Sequence, residues 1–334
     1  PARAAANAGP AVVLSFILSA LAAALAGLCY AEMASMAPIA GSAYTYAYVT
    51  LGEIVAFMIG WDLILEYGVA ASTVAVGWSG YLNSLLQHAV GLSIPAALAS
   101  APLHFDVGTG TFSRTQAIVN APAVLILAAV TLMLRRGLQL SLRLMSYAVV
   151  LKLAVIGTFI VSAARFVRPD NWHPFIPENA GTFGVFGWSG VLQGATMLFF
   201  AYGGFDAVST AAAECRQPQR DIPLGMFGSL LIAVSLYVAV ALVLVGVVPY
   251  TELSVPDPMA VGMAATGQAF MEYLIEVGAI CGLFSVLTVQ IYGQTRILYA
   301  MALDGLLPRP LTRLHPRLHT PATLTTWIGA LAAV

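Results

Sequence analysis

Long apolar segments separated by short polar ones dominate this sequence. About 20 helical residues span the hydrocarbon core of a bilayer. The pattern predicts eight spans, at residues 10–33, 54–86, 116–134, 144–164, 185–213, 223–247, 269–301 and from 322 onward. Residues 41–53 are too short and too polar to cross, which is typical of an interfacial helix. A long loop containing Ser, Pro and Gly is predicted up to residue 115, and a polar loop at 249–268.

Composition places the chain in the class of all-α polytopic membrane proteins. Of its 334 residues, 60% are hydrophobic and 9% charged, whereas soluble domains carry about 25% charged residues. The net charge of -1 argues against a nucleic-acid partner. The chain starts in a small-residue loop and stops inside an apolar run, so we expect a piece of a longer protein.

Metal, cofactor and catalytic chemistry find no support in the sequence. The three cysteines lack metal-ligand spacing, and the histidines fall in loops or at span ends rather than at membrane depth. No glycine-rich phosphate loop occurs. We therefore expect no cofactor, no metal and no catalytic residue.

The arginines of the loops predict the orientation, because cytoplasmic loops carry an excess of Lys and Arg. One side carries Arg135, Arg136, Arg143, Arg216, Arg220, Arg296, Arg309, Arg313 and Arg317. The other side carries Arg3, Arg114, Arg165 and Arg168. Along the eight predicted spans, successive loops alternate between the arginine-rich side and the arginine-poor side. The arginine-rich side is predicted to be cytoplasmic, which places the start of the first span outside. One additional helix before it would give a cytoplasmic N-terminus.

The fifth span, 185–213, contains an interruption. Its middle holds Gly203 and Gly204, and each glycine weakens a helix by roughly 1 kcal/mol. Asp206 follows two residues later, where it either caps the restarted helix or has a gating or coupling role. Non-helical backbone at membrane depth is tolerated where it is buried in protein or lines a watery cavity. The interruption is therefore a candidate binding site.

Lys152 is the only lysine of the chain and lies inside the fourth span. It is about 13 Å along a helix from Arg143, too far for its ammonium group to reach the interface. A charge left in lipid costs at least about 3 kcal/mol, so Lys152 must face protein or water. It is either a proton-titrating or fixed functional cation, or a structural lysine bonded to helix-end carbonyls.

Two acids of the second span share one helical face, Asp62 and Glu66. Asp62 is close enough to the cytoplasmic end to be interfacial. Glu66 lies deeper and needs a partner. That partner is either a cationic group of a substrate or a buried donor such as a tyrosine.

Four motifs resemble cationic-amino-acid-transporter-type permeases of the amino acid–polyamine–organocation superfamily. FFAYGGFDAVSTAAAECRQPQRDIP (199–223) resembles the sixth helix of that family and the loop after it. LCYAEMASMAPIAGSAYTY (28–46), GWDLILEYGVAAS (60–72) and YGQTRILYAMALDGLLP (292–308) are similar to further family segments in the same order.

The resemblance implies a leucine-transporter-like fold of two inverted five-helix repeats, incomplete here, with the eight spans corresponding to family helices two to nine. Residues 1–168 would then hold helices two to five of the first repeat, and 169–334 helices six to nine of the second. The unwound segment whose backbone holds the substrate would comprise Phe200, Ala201, Tyr202, Gly203, Gly204 and Phe205. Lys152 would match the fifth-helix lysine that replaces a sodium ion in proton-coupled relatives. The family's carboxylate-binding break in the first helix has no counterpart in this sequence.

These features predict a proton-coupled amino acid permease of the plasma membrane. Its partners would be an amino acid, protons and the lipid bilayer. An obligate amino acid exchanger, with Lys152 as a permanent structural cation, is the alternative. A membrane-embedded enzyme or a non-transporting scaffold is a third hypothesis. The identity of the amino acid and the oligomeric state stay open.

Overall fold

Helices make up nearly all of the computed structural model, which describes residues 2–36, 41–106, 111–179, 181–210, 215–253, 258–316 and 320–333. In chain order these helices are α1 Ala2–Ala8, α2 Val12–Met36, α3 Ala43–Leu51, α4 Glu53–Val90, α5 Ala96–Ala99, α6 Ala121–Arg135, α7 Leu138–Ala163, α8 Gly187–Phe199, α9 Phe205–Thr210, α10 Pro218–Val247, α11 Pro258–Ala264, α12 Ala269–Leu303 and α13 Ala322–Ala332. Short 3-10 turns occupy Gly9–Ala11, Ala164–Phe166, Pro169–Trp172, Phe200–Tyr202, Tyr250–Glu252 and Arg309–Thr312.

Each of the eight predicted spans corresponds to helix in the described residues. Five stretches there are long and apolar enough to cross a bilayer as single helices: Ala4–Met36, Glu53–Val90, Arg143–Phe166, Pro218–Val247 and Phe270–Leu303. Helices α6 and α13 are shorter apolar helices at the third and eighth predicted spans. The fifth span is divided between α8 and α9. The chain is a multi-pass membrane protein, and the count of eight spans stays a prediction.

Several predicted boundaries are wrong, for local reasons. The third span starts at Ala121 rather than 116, because the Asn120 side chain caps the helix by accepting the N–H of Ala123 at 3.2 Å. The second span runs to Val90 and ends at Gly91, whose φ of 71° suits a glycine. The sixth span starts at Pro218, and Pro223 lies within it.

The long loop predicted up to residue 115 holds regular structure that the sequence did not reveal. It contains α5 and an antiparallel pair of strands, β1 Leu103–Asp106 and β2 Thr111–Arg114. Residues 107–110, between the strands, lie outside the described residues, as do residues 211–213 of the fifth span and Arg317.

Contacts divide the chain into two compact units, one of residues 1–39 and 154–275, the other of residues 40–153 and 276–334. Each unit therefore takes residues from both predicted repeats. An inverted repeat is a relation of topology rather than of compactness, so the predicted division at residue 168 stays a prediction.

In the first unit, small residues bring α2 and α8 into direct contact. A Cβ at Gly194 of α8 would lie 2.7 Å from the Ser15 hydroxyl oxygen of α2, whereas a Cβ at Gly190, one turn earlier, would meet the backbone of Asn7 on α1. Ser15 donates to the carbonyl of Val191 at 2.8 Å, and Ser19 donates to the carbonyl of Ala195. Small residues that let backbones approach, supported by serine hydrogen bonds, are the usual means of packing helices in membranes.

In the second unit, side chains of α4 and α12 meet in opposite chain order, as in an antiparallel pair of helices. The Gln294 amide donates to the carbonyl of Ile64 at 2.7 Å, and Gly293 makes room for the ring of Tyr67. Near the start of α4, Gly60 makes room for Met301. The two helices thus approach at positions where one partner is a glycine or a backbone carbonyl.

Beside these two helices, the Tyr44 hydroxyl of α3 donates to the Asp304 carboxylate at 2.7 Å. Burial, together with this hydrogen bond, raises the pKa of Tyr44 far above the physiological range. Both residues belong to ends that the arginine distribution places on the cytoplasmic side. In the first unit, the Trp172 indole donates to the carbonyl of Leu242 at 3.2 Å. Both residues belong to helix ends that the arginine distribution predicts to lie on the outer side.

Replacing Gly194 by Leu tests the α2–α8 contact. We expect Gly194→Leu to lower the stability of the full-length protein by about 1–3 kcal/mol, the usual cost of overpacking, because the new side chain collides with Ser15. Thermal unfolding in detergent measures this loss. The matched control is Gly228→Leu on α10, where a Cβ meets nothing within 4 Å. Equal unfolding temperatures for the two variants would contradict the packing described.

Candidate functional site

The helix of the fifth span is interrupted as predicted, and the two glycines at the interruption have different backbone conformations. Helix α8 tightens into the 3-10 turn Phe200–Tyr202 and ends there. Gly203 has extended geometry with ψ 146°, and Gly204 has φ 107°, a conformation that residues with a Cβ rarely adopt. Helix α9 then starts at Phe205. The break therefore requires a glycine at 204.

Two tyrosine hydroxyls hold the backbone of the break. Tyr202 is buried and donates to the carbonyl of Phe16 on α2 at 2.9 Å. Tyr237 of α10 donates to the carbonyl of Ala201 at 3.2 Å, and its ring lies edge-on to that of Tyr202. The last carbonyls of a helix lack partners within the helix, so Tyr237 satisfies one that would otherwise be unpaired.

An apolar cavity of about 220 Å³ adjoins the break at Ala201. Its lining is aliphatic and aromatic, and none of the residues that form it is an acid or a base. It consists of Ala5, Val12, Phe16, Ile156, Ala201, Leu236, Tyr237, Val240, Ala241, Leu244, Val245, Leu253 and Met259. The cavity can accept an aliphatic group but offers no counter-charge to an ion.

The predicted site residues differ in exposure. The Phe200 side chain is 65% exposed, and Ala201 and Gly203 are exposed as well, whereas Tyr202 is buried. Asp206 is 8% exposed and lies in the first turn of α9, one position beyond the start of the helix. An acid in the first turn of a helix is favoured by the helix dipole, so this position is compatible with the capping interpretation. The role of Asp206, as a cap or in gating or coupling, stays a prediction.

Lys152 lies on α7 and is partly buried, as its place inside a span predicts. Its aliphatic stem passes Gly282 of α12, where an added Cβ would lie 3.4 Å from the Lys152 Cδ. Within the part of the chain that the structure describes, the Lys152 ammonium group forms no ion pair with an acid. A functional role for this amine stays a prediction.

Glu66 and Asp62 are exposed on α4, in the second unit. Neither lines the apolar cavity, which belongs to the first unit. The buried positions of that helical turn are Leu63, Ile64 and Tyr67, so Glu66 lies on the opposite, exposed side of α4. Its role as a substrate partner stays a prediction.

Sequence reasoning missed Tyr237 and the serines of α2. Each is a hydroxyl inside an apolar span, and that signal was available: a polar group at membrane depth requires a partner. It also missed Glu276, a buried acid near the start of α12 that contacts His88 of α4. Only a neighbouring helix could reveal that pair, since 188 residues separate its members.

Comparison with known proteins identifies the family. The sequence model described as amino acid permease matches residues 1–334. The chain is 45% identical over 330 residues to the methylthioribose transporter of Bacillus subtilis, covering 99% of this chain and 68% of that protein. It is 42% identical to a branched-chain amino acid permease of the same organism, covering 98% of this chain and 67% of that protein.

A plant relative extends the comparison. The chain is 38% identical over 311 residues to the chloroplastic cationic amino acid transporter 9 of Arabidopsis thaliana, covering 93% of this chain and 52% of that protein. The relatives are transporters and not enzymes, and the resemblance noted in the four motifs is confirmed. The chain belongs to the amino acid permease family of the amino acid–polyamine–organocation superfamily.

Proposed function

We propose that this protein carries amino acids across the plasma membrane by alternating access, with the substrate bound at the broken helix. The observation that carries the proposal is the break itself, where α8 ends and Gly204 adopts a positive φ beside a cavity. The negative end of the α8 dipole suits the ammonium group of an amino acid. The contacting residues would be Phe200, Ala201, Tyr202, Gly203, Gly204 and Phe205.

The cavity favours an uncharged, apolar side chain on the substrate. Its lining carries no acid that could pair with a cationic side chain, and a buried unpaired charge is costly. Its volume of about 220 Å³ is ample for an aliphatic or thioether group. Two relatives point the same way, since one is named for branched-chain amino acids and another for methylthioribose.

A cationic substrate is the second candidate, because other relatives are named cationic amino acid transporters. Glu66 would then be the partner of the cationic group. A thermal-shift screen of the full-length protein against the proteinogenic amino acids separates the two candidates. Stabilisation by aliphatic amino acids supports the cavity as the side-chain site, and stabilisation by arginine or lysine alone would contradict it.

Proton coupling through Lys152 is the mechanism that we propose for driving uptake. Binding or release of a proton by a partly buried amine changes the relative free energies of the two access states. A shift of only a few kcal/mol is enough to bias alternating access. Obligate exchange with Lys152 as a fixed cation is the alternative mechanism, and a non-transporting scaffold is the alternative to transport.

Replacing Gly204 by Ala tests the site. We expect the full-length Gly204→Ala protein to bind substrate at least about tenfold more weakly, because a Cβ at positive φ costs on the order of 1–3 kcal/mol and deforms the break. Substrate titrations monitored by thermal shift measure the loss. Gly228→Ala on α10 is the matched control and keeps wild-type affinity. Unchanged affinity in Gly204→Ala would place the substrate elsewhere.

Replacing Lys152 by Ala tests the coupling. In proteoliposomes with an imposed proton gradient, we expect Lys152→Ala to reduce uptake into empty vesicles about tenfold, the effect of a change of about 1.4 kcal/mol in the bias between states. Exchange into preloaded vesicles would be retained. Arg143→Ala, an exposed cation of the same helix, is the matched control.

Two results would contradict this mechanism. Gradient-driven uptake by Lys152→Ala at the wild-type rate would remove Lys152 from the coupling. Wild-type uptake that requires preloaded substrate would establish obligate exchange.

A further inference from the structure

Within the described residues, Tyr237 supplies the only side-chain hydroxyl to the lining of the apolar cavity. The other lining side chains are hydrocarbon, apart from the thioether of Met259. Tyr237 and Ala201 both line the cavity, so the hydrogen bond between them lies at the end of the cavity that meets the break. A substrate side chain that enters the cavity would therefore meet one side-chain hydroxyl, at that end.

This hydroxyl offers a ligand an acceptor but no donor. A tyrosine hydroxyl has one proton and two acceptor lone pairs. Tyr237 donates its proton to the carbonyl of Ala201 at 3.2 Å. Among the described residues, no group donates to the Tyr237 Oη. Its lone pairs are therefore available to a ligand, whereas its proton is committed to the backbone of the break.

Packing holds the Tyr237 ring in this place. The ring lies edge-on to Tyr202 with 5.4 Å between ring centroids, and its centroid lies 5.6 Å from that of Phe16. The Tyr202 hydroxyl in turn donates to the carbonyl of Phe16. Turning the Tyr237 proton toward a ligand would take a partner away from the Ala201 carbonyl, and an unpaired carbonyl in an apolar environment is costly.

These hydrogen-bonding roles distinguish between substrates of equal shape. In threonine the α-amino nitrogen and the β-hydroxyl are close neighbours, so an ammonium group at the break brings the hydroxyl to the Tyr237 end of the cavity. That hydroxyl can donate to Oη. A purely apolar pocket, by contrast, favours valine over threonine by about a hundredfold. An ether oxygen in the same region has no proton to donate, and a buried polar group without a partner weakens binding.

We propose that Tyr237 is a specificity-determining residue that admits the hydroxyl of a small β-hydroxy amino acid into a cavity otherwise suited to hydrocarbon side chains. The inference rests on the proposed function, because it requires a substrate bound at the break with its side chain in the cavity. It extends the substrate class from aliphatic amino acids to their β-hydroxylated isosteres. It excludes side chains whose heteroatom at this position can only accept a hydrogen bond.

Two pairs of isosteric amino acids test this specificity in the wild-type, full-length protein. Threonine replaces a methyl group of valine by a hydroxyl that can donate, and O-methylthreonine replaces a methylene group of isoleucine by an ether oxygen that cannot. Thermal-shift titrations measure the four affinities. We expect threonine to bind within about threefold of valine, and O-methylthreonine to bind at least about tenfold more weakly than isoleucine.

Tyr237→Phe removes the hydroxyl and keeps the ring. We expect the affinity for threonine relative to valine to fall about tenfold, because the ligand hydroxyl loses its acceptor. The Ala201 carbonyl, 3.2 Å beyond the lost oxygen, is too far away to replace it. Loss of the Tyr237–Ala201 bond alone would weaken valine and threonine equally and leave their ratio unchanged. Tyr147→Phe, at an exposed tyrosine of α7, is the matched control and keeps the wild-type ratio.

The outcomes separate this inference from the function on which it rests. A wild type that binds O-methylthreonine as tightly as isoleucine would overturn the proposal. If Gly204→Ala weakens all four amino acids while Tyr237→Phe keeps the wild-type ratio of threonine to valine, only the role assigned to Tyr237 is wrong. If Gly204→Ala leaves all four affinities unchanged, the substrate binds elsewhere, and both the proposed site and this inference are wrong.

Discussion

Where a membrane helix is broken, the backbone N–H and C=O groups that lose their intrahelical hydrogen bonds need new partners. The rest of this structure depends on how those partners are supplied at Gly203 and Gly204. Tyr237 takes the carbonyl of Ala201, and Tyr202 fastens the break to the carbonyl of Phe16. If charged side chains or water molecules had paired with these backbone groups, the site would have been open to water. The break is instead held by two neutral hydroxyls and keeps an apolar cavity beside it.

The same constraint explains why α2 and α8 are rich in small residues. The hydroxyl of Tyr202 reaches Phe16 only if the two helices approach closely, and Gly194 permits that approach. Ser15 and Ser19 then add hydrogen bonds to carbonyls of α8. The packing of α8 against α2 thus sets the position of the break. No single sequence motif shows this dependence, because it involves residues of both helices.

Much of this fold could be predicted from hydrophobicity, and much of the site could not. Apolar length placed every predicted span on helix, and the paired glycines located the break. Helix ends were missed where a side chain decides them, as Asn120 does for α6. The strand pair was missed because each strand has only four residues, the shortest run in which alternation can be read. The pair of His88 with Glu276 was missed because 188 residues separate its members. Tyr237 carried a usable signal, a hydroxyl inside an apolar span, but only the structure shows that its partner is the carbonyl of Ala201.

The most direct test of the central claim, that the substrate occupies the break, is the reactivity of a cysteine placed there. In a full-length background without native cysteines, Phe200→Cys and Leu192→Cys provide two exposed positions on one stretch of helix, the first at the break and the second two turns before it. At a substrate concentration about ten times the Kd, alkylation at position 200 should slow about tenfold while position 192 is unaffected. Equal rates at position 200 with and without substrate would contradict the account.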